Sequence, residues 1–524
     1  MISVRKTMAI IAVLGMIALL AGCNSNDSNT SLDLVDPAET IYNETNENKE
    51  VIIYQGTNIS SLDMHKATGT TTASVCFNMY DSLTRADANG VVQPLLAKSW
   101  ENIDDYTWQF KLEEDIKFHN GEEFNAETVK FNVERILNPE FNSILRGDFS
   151  RIDRIDVVDE YTVNIVTKDI FPSLPLRITY LAMEPAKYIQ DVGDEQFALK
   201  PIGTGPYKFV EMVSGSHVIL ERNDEYWNSK PVIERLTFKI VPEESTRMLA
   251  LETGEADIVI GIPPSQVARI NSKDEVTAIY KEANRIIYLG LNQIPEDSPM
   301  KDINVRQALN YGINREEIIS VILEGIGGTP VATLSLPQWT GYDSSIEPYP
   351  YDPDKAKSLL SDAGYANGLE LSLSVVPGAF PANKEIAEAI AGQLSKIGVN
   401  CTVVTNEALA QRELIASKKI DLLHLSGLGG PYAENSQTLR ILLCSGERFS
   451  VTDSPEFDAK FAAASSIMDP KEASTAWSEI QQITKEQALA VPLYQLNSIY
   501  GINKRIDWVP RLDEIVLGIE MGLK

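Results

Sequence analysis

The stretch from Leu369 to Val404, LELSLSVVPGAFPANKEIAEAIAGQLSKIGVNCTVV, decides the fold class. Leu369 to Val376 is a short leucine- and valine-rich run with the length of a strand. Beyond it Ile386, Ile390, Leu394 and Ile397 recur at three- and four-residue spacing, which puts them on one helix face, and Gly398 supplies a stop. A second strand runs through Cys401 to Val404. Strand, helix and strand in that order imply a parallel crossover, because a helix-length connection returns the chain beside its starting strand in the same direction. The second half of the chain is expected to hold an open α/β sheet covered by helices.

Immediately upstream, Asp352 and Pro353 offer an N-cap and a first-turn proline to a helix with Ala356, Leu359, Leu360 and Ala363 on one face and Gly364 as its stop. Asn314 and Glu317 have capping-box spacing before Ile318, Ile319, Ile322 and Leu323. In the first half, Tyr106, Trp108, Phe110 and Leu112 alternate with polar residues, as Tyr161, Val163 and Ile165 do, so both read as half-buried strands. Between them Asn125 can cap a helix with Glu127 in its first turn and Val129, Val133, Ile136 and Leu137 on one face. At 524 residues the chain exceeds one compact core, which stops growing near ~250–300 residues, so two lobes of mixed α and β structure are expected. There is no internal repeat of solenoid or propeller length.

The formal charge of -28 would repel nucleic acid and anionic membrane, so no nucleic-acid partner is expected. At the N-terminus Arg5 and Lys6 precede an apolar run, Met8 to Ala21, too short to span a bilayer and of the length of a signal peptide. It ends in Leu20-Ala21-Gly22-Cys23, which has the form of a bacterial lipobox. Residues 1–22 are read as a signal peptide and Cys23 as the site of a palmitate-type lipid. Residues 23–50, rich in Asn, Ser, Thr, Asp and Glu, are read as a flexible tether. Cys76, Cys401 and Cys444 lack metal or redox spacing and read as free thiols, with a Cys401–Cys444 bridge as the alternative.

Catalytic motifs are missing. His65, His119, His217 and His424 are scattered, with no H-x-x-x-H spacing, and neither a G-x-S-x-G elbow nor a Walker A loop occurs. His119, before the Asn120-Gly121 turn, reads as structural. Gly203-Thr204-Gly205 and Gly427-Leu428-Gly429-Gly430 complete no dinucleotide fingerprint and read as tight turns. No enzyme activity and no cofactor are expected.

Several blocks, in order, resemble the peptide/nickel family (family 5) of extracytoplasmic solute-binding proteins. They are Gln93 to Glu101, Tyr106 to Leu112, Ile116 to Gly121 with Asn125 to Val129, Pro201 to Tyr207, Asn223 to Trp227, Arg247 to Asp257, Val305 to Tyr311 and Tyr351 to Ala356. The resemblance implies a two-lobe periplasmic-binding-protein-like fold of type II with an extra subdomain, its mixed sheets flanked by helices. Lobe I would be 51–291 plus 494–524 with the inserted subdomain, and lobe II 292–493. It also implies a monomeric, lipid-anchored, substrate-binding subunit of an ABC importer on the extracytoplasmic face of the cell membrane. That subunit would pass a small peptide or metal chelate to ABC permease and ATPase subunits. A lipoprotein sensor of peptide signals and a surface hydrolase are the alternative readings.

Trp100, Trp227 and Arg306 read as scaffold. Peptide-binding members carry a Trp- and Asp-rich stretch where this chain has His424 to Glu434, which has neither residue. Gly429-Gly430-Pro431-Tyr432 resembles instead the Gly-Ala-Pro-Tyr run of the nickel branch, whose tyrosine faces a chelate. Asn142 and Leu145 stand where that branch carries arginine and tryptophan, with Arg146 adjacent. The candidate ligand-binding residues are therefore Tyr432, Glu434, Arg146, Trp339 and Tyr494, the competing reading for each being packing or solvated charge. A bare metal ion is not expected as cargo, since no cluster of donors has ligand spacing.

Overall fold

A computed structural model describes residues 49–524 apart from Ser60, Thr68 and Tyr432. The predicted signal peptide, Cys23 and nearly all of the tether lie outside the described residues. Regular structure begins with the strand Glu50–Gln55.

The predicted crossover is present. Leu369–Val375 pairs in parallel with Val399–Thr405, and the helix Asn383–Ser395 between them buries Ile386, Ile390 and Leu394. These strands form one end of a large mixed sheet that continues through Leu423–Gly429, Val276–Leu291, Ala490–Asn503, Ile258–Ile260, Glu50–Gln55, Arg235–Ile240 and His217–Arg222 to Tyr207–Val213. A separate antiparallel sheet holds Ala97–Asp104, Thr107–Leu112, Thr162–Thr167 and Ile152–Asp159. The helix Ala126–Leu137 packs beside it, and Asn125 accepts from the main-chain N–H groups of Glu127 and Thr128 as its cap predicts. Asp352 likewise caps Pro353–Asp362 through Lys355.

Two predicted features differ. Asn314 does accept from the Glu317 N–H, but Asn314 gives its own N–H to Gln393 and Glu317 accepts from Gln393, so the box closes through a third residue. The apolar run after it winds as a π-turn over Ile318–Ile322 rather than as an α-helix. Tyr106 is exposed because the strand starts one residue later, at Thr107.

Two long antiparallel strands, Val276–Leu291 and Ala490–Asn503, run through the middle of the sheet and change core along their length. At one end Val276, Ile499, Tyr500 and Ile502 join the apolar clusters of the first half of the chain. At the other, Ile287, Leu289, Leu291, Val491 and Leu493 join a cluster with Leu373, Ile390 and Leu425. Ile286 and Tyr288 point to the opposite sheet face and join Trp339, Phe457 and Trp477. Successive strand residues face opposite ways, so this continuous apolar run, IIYLGL, is what a strand covered on both faces requires.

Candidate ligand-binding cleft

Between the two ends the long strand reads Glu282-Ala283-Asn284-Arg285, a polar break in an apolar run. The pairing breaks there too. Glu282 is opposite Asn497 and Ile286 opposite Gln495, so Ala283, Asn284 and Arg285 stand where the partner strand has only Leu496. Such a bulge bends a strand and re-aims its side chains.

Asn284 uses the bend to tie several segments together. It is buried, and its side-chain amide donates to the carbonyls of Gly430 at 3.0 Å and Ala433 at 2.9 Å. Its Oδ1 accepts from Trp339 Nε1 at 2.7 Å and Gln338 Nε2 at 3.0 Å. Its main-chain N–H reaches the carbonyl of Leu512, in the C-terminal segment. All of the side chain's hydrogen-bonding capacity is thereby used. Gly429 is required beside it, because a Cβ there would lie 2.0 Å from the Asn284 carbonyl oxygen. A Cβ at Gly430 would meet nothing within 4 Å.

The turn leads into the helix Asn435–Leu443, whose N-cap is Glu434. The Glu434 carboxylate accepts from the N–H groups of Ser436 and Gln437 and from the Ser436 hydroxyl, and takes Arg177 Nη2 from the first half of the chain at 3.2 Å. Gln437 donates to Asp148 at 3.0 Å, and the hydroxyls of Ser173 and Ser436 are 3.5 Å apart. The start of this helix thus meets the first half of the chain across a cleft.

Two cavities flank the turn, and Pro431 and Ala433 line both. The smaller, about 360 Å³, lies among Asn284, Trp339, Glu434, Met468, Trp477 and Leu176. The larger, about 570 Å³, lies among Arg285, Tyr288, Arg412, Phe449 and the run from Ser426 to Gly430. Strand pairing on the outer edge of Leu423–Gly429 stops at His424 among the described residues, so the edge beyond it has no strand neighbour where it borders this cavity.

The structure brings two of the candidates from the sequence to this cleft. Trp339 and Glu434 line the smaller cavity, though the Glu434 oxygens are engaged by its own helix and by Arg177. Arg146 is exposed at the start of the short helix Arg146–Phe149, next to Gly147 and Asp148, which line a third cavity on the same cleft. Tyr494 is fully buried with its ring against Gly328 and is not among the lining residues of these cavities; burial raises its hydroxyl pKa far above the usual value. Tyr432 lies outside the described residues. Asn284, Arg177, Trp477 and Arg412 were not legible as cleft residues, although the polar break at Glu282 to Arg285 was a usable signal.

The scaffold readings hold. Arg306 is buried and donates to the carbonyls of Met300, Lys301 and Gln487. Trp100 stacks on Phe110, and Trp227 donates to the buried Asp81. His119 accepts the Gly203 N–H at Nδ1 and donates from Nε2 to the Gly205 carbonyl, and burial lowers its pKa to about 4. Cys76, Cys401 and Cys444 are free, with burial raising Cys401 to about 11 and Cys444 to about 12.

Among the described residues one group, Asp63, His65 and Glu184, has the proximity of a metal site. Arg135 fills it instead. The guanidinium donates to His65 Nδ1 at 3.0 Å, Glu184 at 2.5 Å and Asp63 at 2.7 Å, so an internal cation stands where these three groups converge.

A bulged strand pair joining two halves, with cavities and cross-cleft hydrogen bonds between them, defines a protein that encloses a small solute. Residues 91–449 match the family described as bacterial extracellular solute-binding proteins, family 5. The glutathione-binding protein GsiB of Salmonella typhimurium is 30% identical over 483 residues, 88% of this chain and 92% of GsiB. Heme-binding protein A of Haemophilus influenzae is 28% identical over 77% of this chain and 78% of its own. The ABC transporter substrate-binding protein CtaP of Listeria monocytogenes superposes with a TM-score of 0.81 at 24% identity, covering 90% of this chain and 99% of CtaP. The chain belongs to family 5 of the bacterial extracellular solute-binding proteins, with the type II periplasmic-binding fold. The family and these relatives are solute-binding proteins, not enzymes.

Proposed function

We propose that the chain captures a short peptide or a metal chelate in the cleft beside Asn284 and delivers it to ABC permease and ATPase subunits. The observation that carries this reading is the strand Leu423–Gly429, whose outer edge beyond His424 has no strand partner and borders the larger cavity. An extended peptide backbone, or the amide and carboxylate groups of a chelator, can hydrogen-bond to such an edge. Glutathione and heme, the ligands in the relatives' names, are a peptide and a metal chelate.

Lobe I is residues 51–291 plus 494–524, with the four-stranded sheet as its inserted subdomain, and lobe II is 292–493. Trp339, Glu434 and Arg146 contribute to the cleft, and Tyr432 is a ligand contact, since its chain neighbours Pro431 and Ala433 line both cavities. The protein is a monomer held by lipid on Cys23 at the extracytoplasmic face of the membrane, after removal of residues 1–22. Native mass spectrometry of the protein released from its anchor tests the cargo: a retained peptide or metal chelate is expected, and a retained sugar or bare ion overturns the reading. Incorporation of a fatty-acid analogue that is unchanged in Cys23→Ala removes the anchor.

A further inference from the structure

The wall of the larger cavity has a charge opposite to that of the chain as a whole. Acidic residues outnumber Lys and Arg by 74 to 46 in the sequence. Yet the charged side chains lining this cavity are Arg285 and Arg412, with no carboxylate among the described residues. Arg285 gives one N–H to Glu514 at 2.9 Å, and Glu514 also takes the Ser498 hydroxyl. Arg412 has no ion pair among the described residues and lies over the ring of Phe449, 5.5 Å from its centroid. A guanidinium resting on an aromatic face is oriented, while the N–H fork in its plane stays available to an anion.

The smaller cavity is different. Trp339, Trp477, Ile467 and Met468 supply apolar surface, and Glu434 is the charged side chain on its wall, already held by its helix and Arg177. Asn284 lines this cavity and the next residue, Arg285, lines the other, so the bulged strand stands between the two and puts a cation on one side only.

We propose that the solute is an organic anion, with a carboxylate held by Arg285 and Arg412 in the larger cavity and an apolar or aromatic part against Trp339 and Trp477 in the smaller. The assignment rests on the cleft being the solute site. It disfavours cationic solutes, for which the larger cavity offers no counter-charge. A planar carboxylate matches a guanidinium fork, and a hydrogen bond to a charged group is strong enough that losing one weakens binding roughly tenfold.

The test uses ligand-stripped, tag-free mature protein titrated calorimetrically with two pools. One is short apolar peptides with free carboxyl termini, the other aryl-alkyl carboxylic acids, each compared with its amide. The expected result is that the free acids of at least one pool bind and that their amides bind at least tenfold more weakly. Arg412→Gln lowers acid affinity roughly tenfold, while Arg448→Gln, which removes the neighbouring charge over the same Phe449 ring outside the cavity, leaves it unchanged. Arg285→Gln gives the same loss where it folds; the exposed Arg412 carries the test where it does not. Amides that bind as well as acids, full affinity in Arg412→Gln, or binding of neither acid pool overturns the proposal. Aryl acids binding without peptide acids sustains the anion and removes the peptide reading. Peptide amides binding as well as peptide acids does the reverse.

Discussion

Asn284 ties the cleft wall together, since one buried amide serves two carbonyls and two N–H groups from two separate segments. Asn284→Ala takes this partner from the Ala433 carbonyl and from the Trp339 and Gln338 N–H groups, while the Gly430 carbonyl keeps the Ala433 N–H, and a loss of about 2–4 kcal/mol in urea unfolding is expected, several unpaired groups at ~1 kcal/mol each. Asn284→Asp keeps the acceptor for Trp339 but sets a carboxylate against two carbonyls, and should lower the midpoint as well. A stability unchanged in both variants would remove the network from the account. His424 makes a prediction in pH. Burial lowers its pKa from 6.5 to about 4, so the unfolded chain holds the extra proton between those values. Its contribution is full above pH 6.5 and is lost as pH falls toward 4, at up to ~1.4 kcal/mol per pH unit. Stability measured from pH 7 to 5 should fall less steeply in His424→Gln than in the parent.

At the scale of elements, the turn from strand Leu423–Gly429 into helix Asn435–Leu443 separates a folding requirement from a binding one. Gly429→Ala puts a methyl group 2.0 Å from the Asn284 carbonyl oxygen and 2.5 Å from the Arg285 Cα, so backbone must move and both stability and binding should be lost. Gly430→Ala adds the same group to open space. Its thermal midpoint should stay within ~2 °C of the parent, because surface changes of this kind are within about 0.5 kcal/mol. Any loss of ligand affinity in Gly430→Ala then reports crowding of the cavity alone. Equal thermal midpoints for the two variants would contradict the packing described at Gly429. Glu434 is a cap as well as a cleft residue, so Glu434→Ala should cost about 1 kcal/mol of stability besides its effect on the cleft.

At the scale of the molecule, Arg177–Glu434, Asp148–Gln437 and Ser173–Ser436 are hydrogen-bonding pairs across the proposed lobes. They are available only when the cleft is closed, so they add to the closed side of an open–closed equilibrium that the solute shifts by its own preference for that state. Small-angle scattering should show a smaller radius of gyration on saturation with solute. Arg177→Ala should enlarge the solute-free particle and weaken affinity through a smaller closed population. A radius insensitive to both solute and Arg177→Ala would exclude hinge closure.

The parallel crossover, the caps at Asn125 and Asp352 and the strand beginning at Leu369 were legible because each depends on residues within a few positions: apolar periodicity, a side-chain oxygen before a helix, a glycine after it. The family was legible for the same reason, through short blocks that shape turns and cores. The cleft was less so. Trp339 and Glu434, named as candidates, do line a cavity, but Tyr494, as aromatic as any ligand contact, is fully buried with its ring against Gly328. Arg177 meets Glu434 from 257 residues away, and Asn284 meets Ala433 across 149. No local pattern encodes such meetings. The sequence by itself determined the class of fold and the family, through local periodicity and turn chemistry. Which polar groups face one another across the cleft, and the cationic wall of its larger cavity, were decided only by the tertiary structure, because those contacts exist only after distant strands have paired.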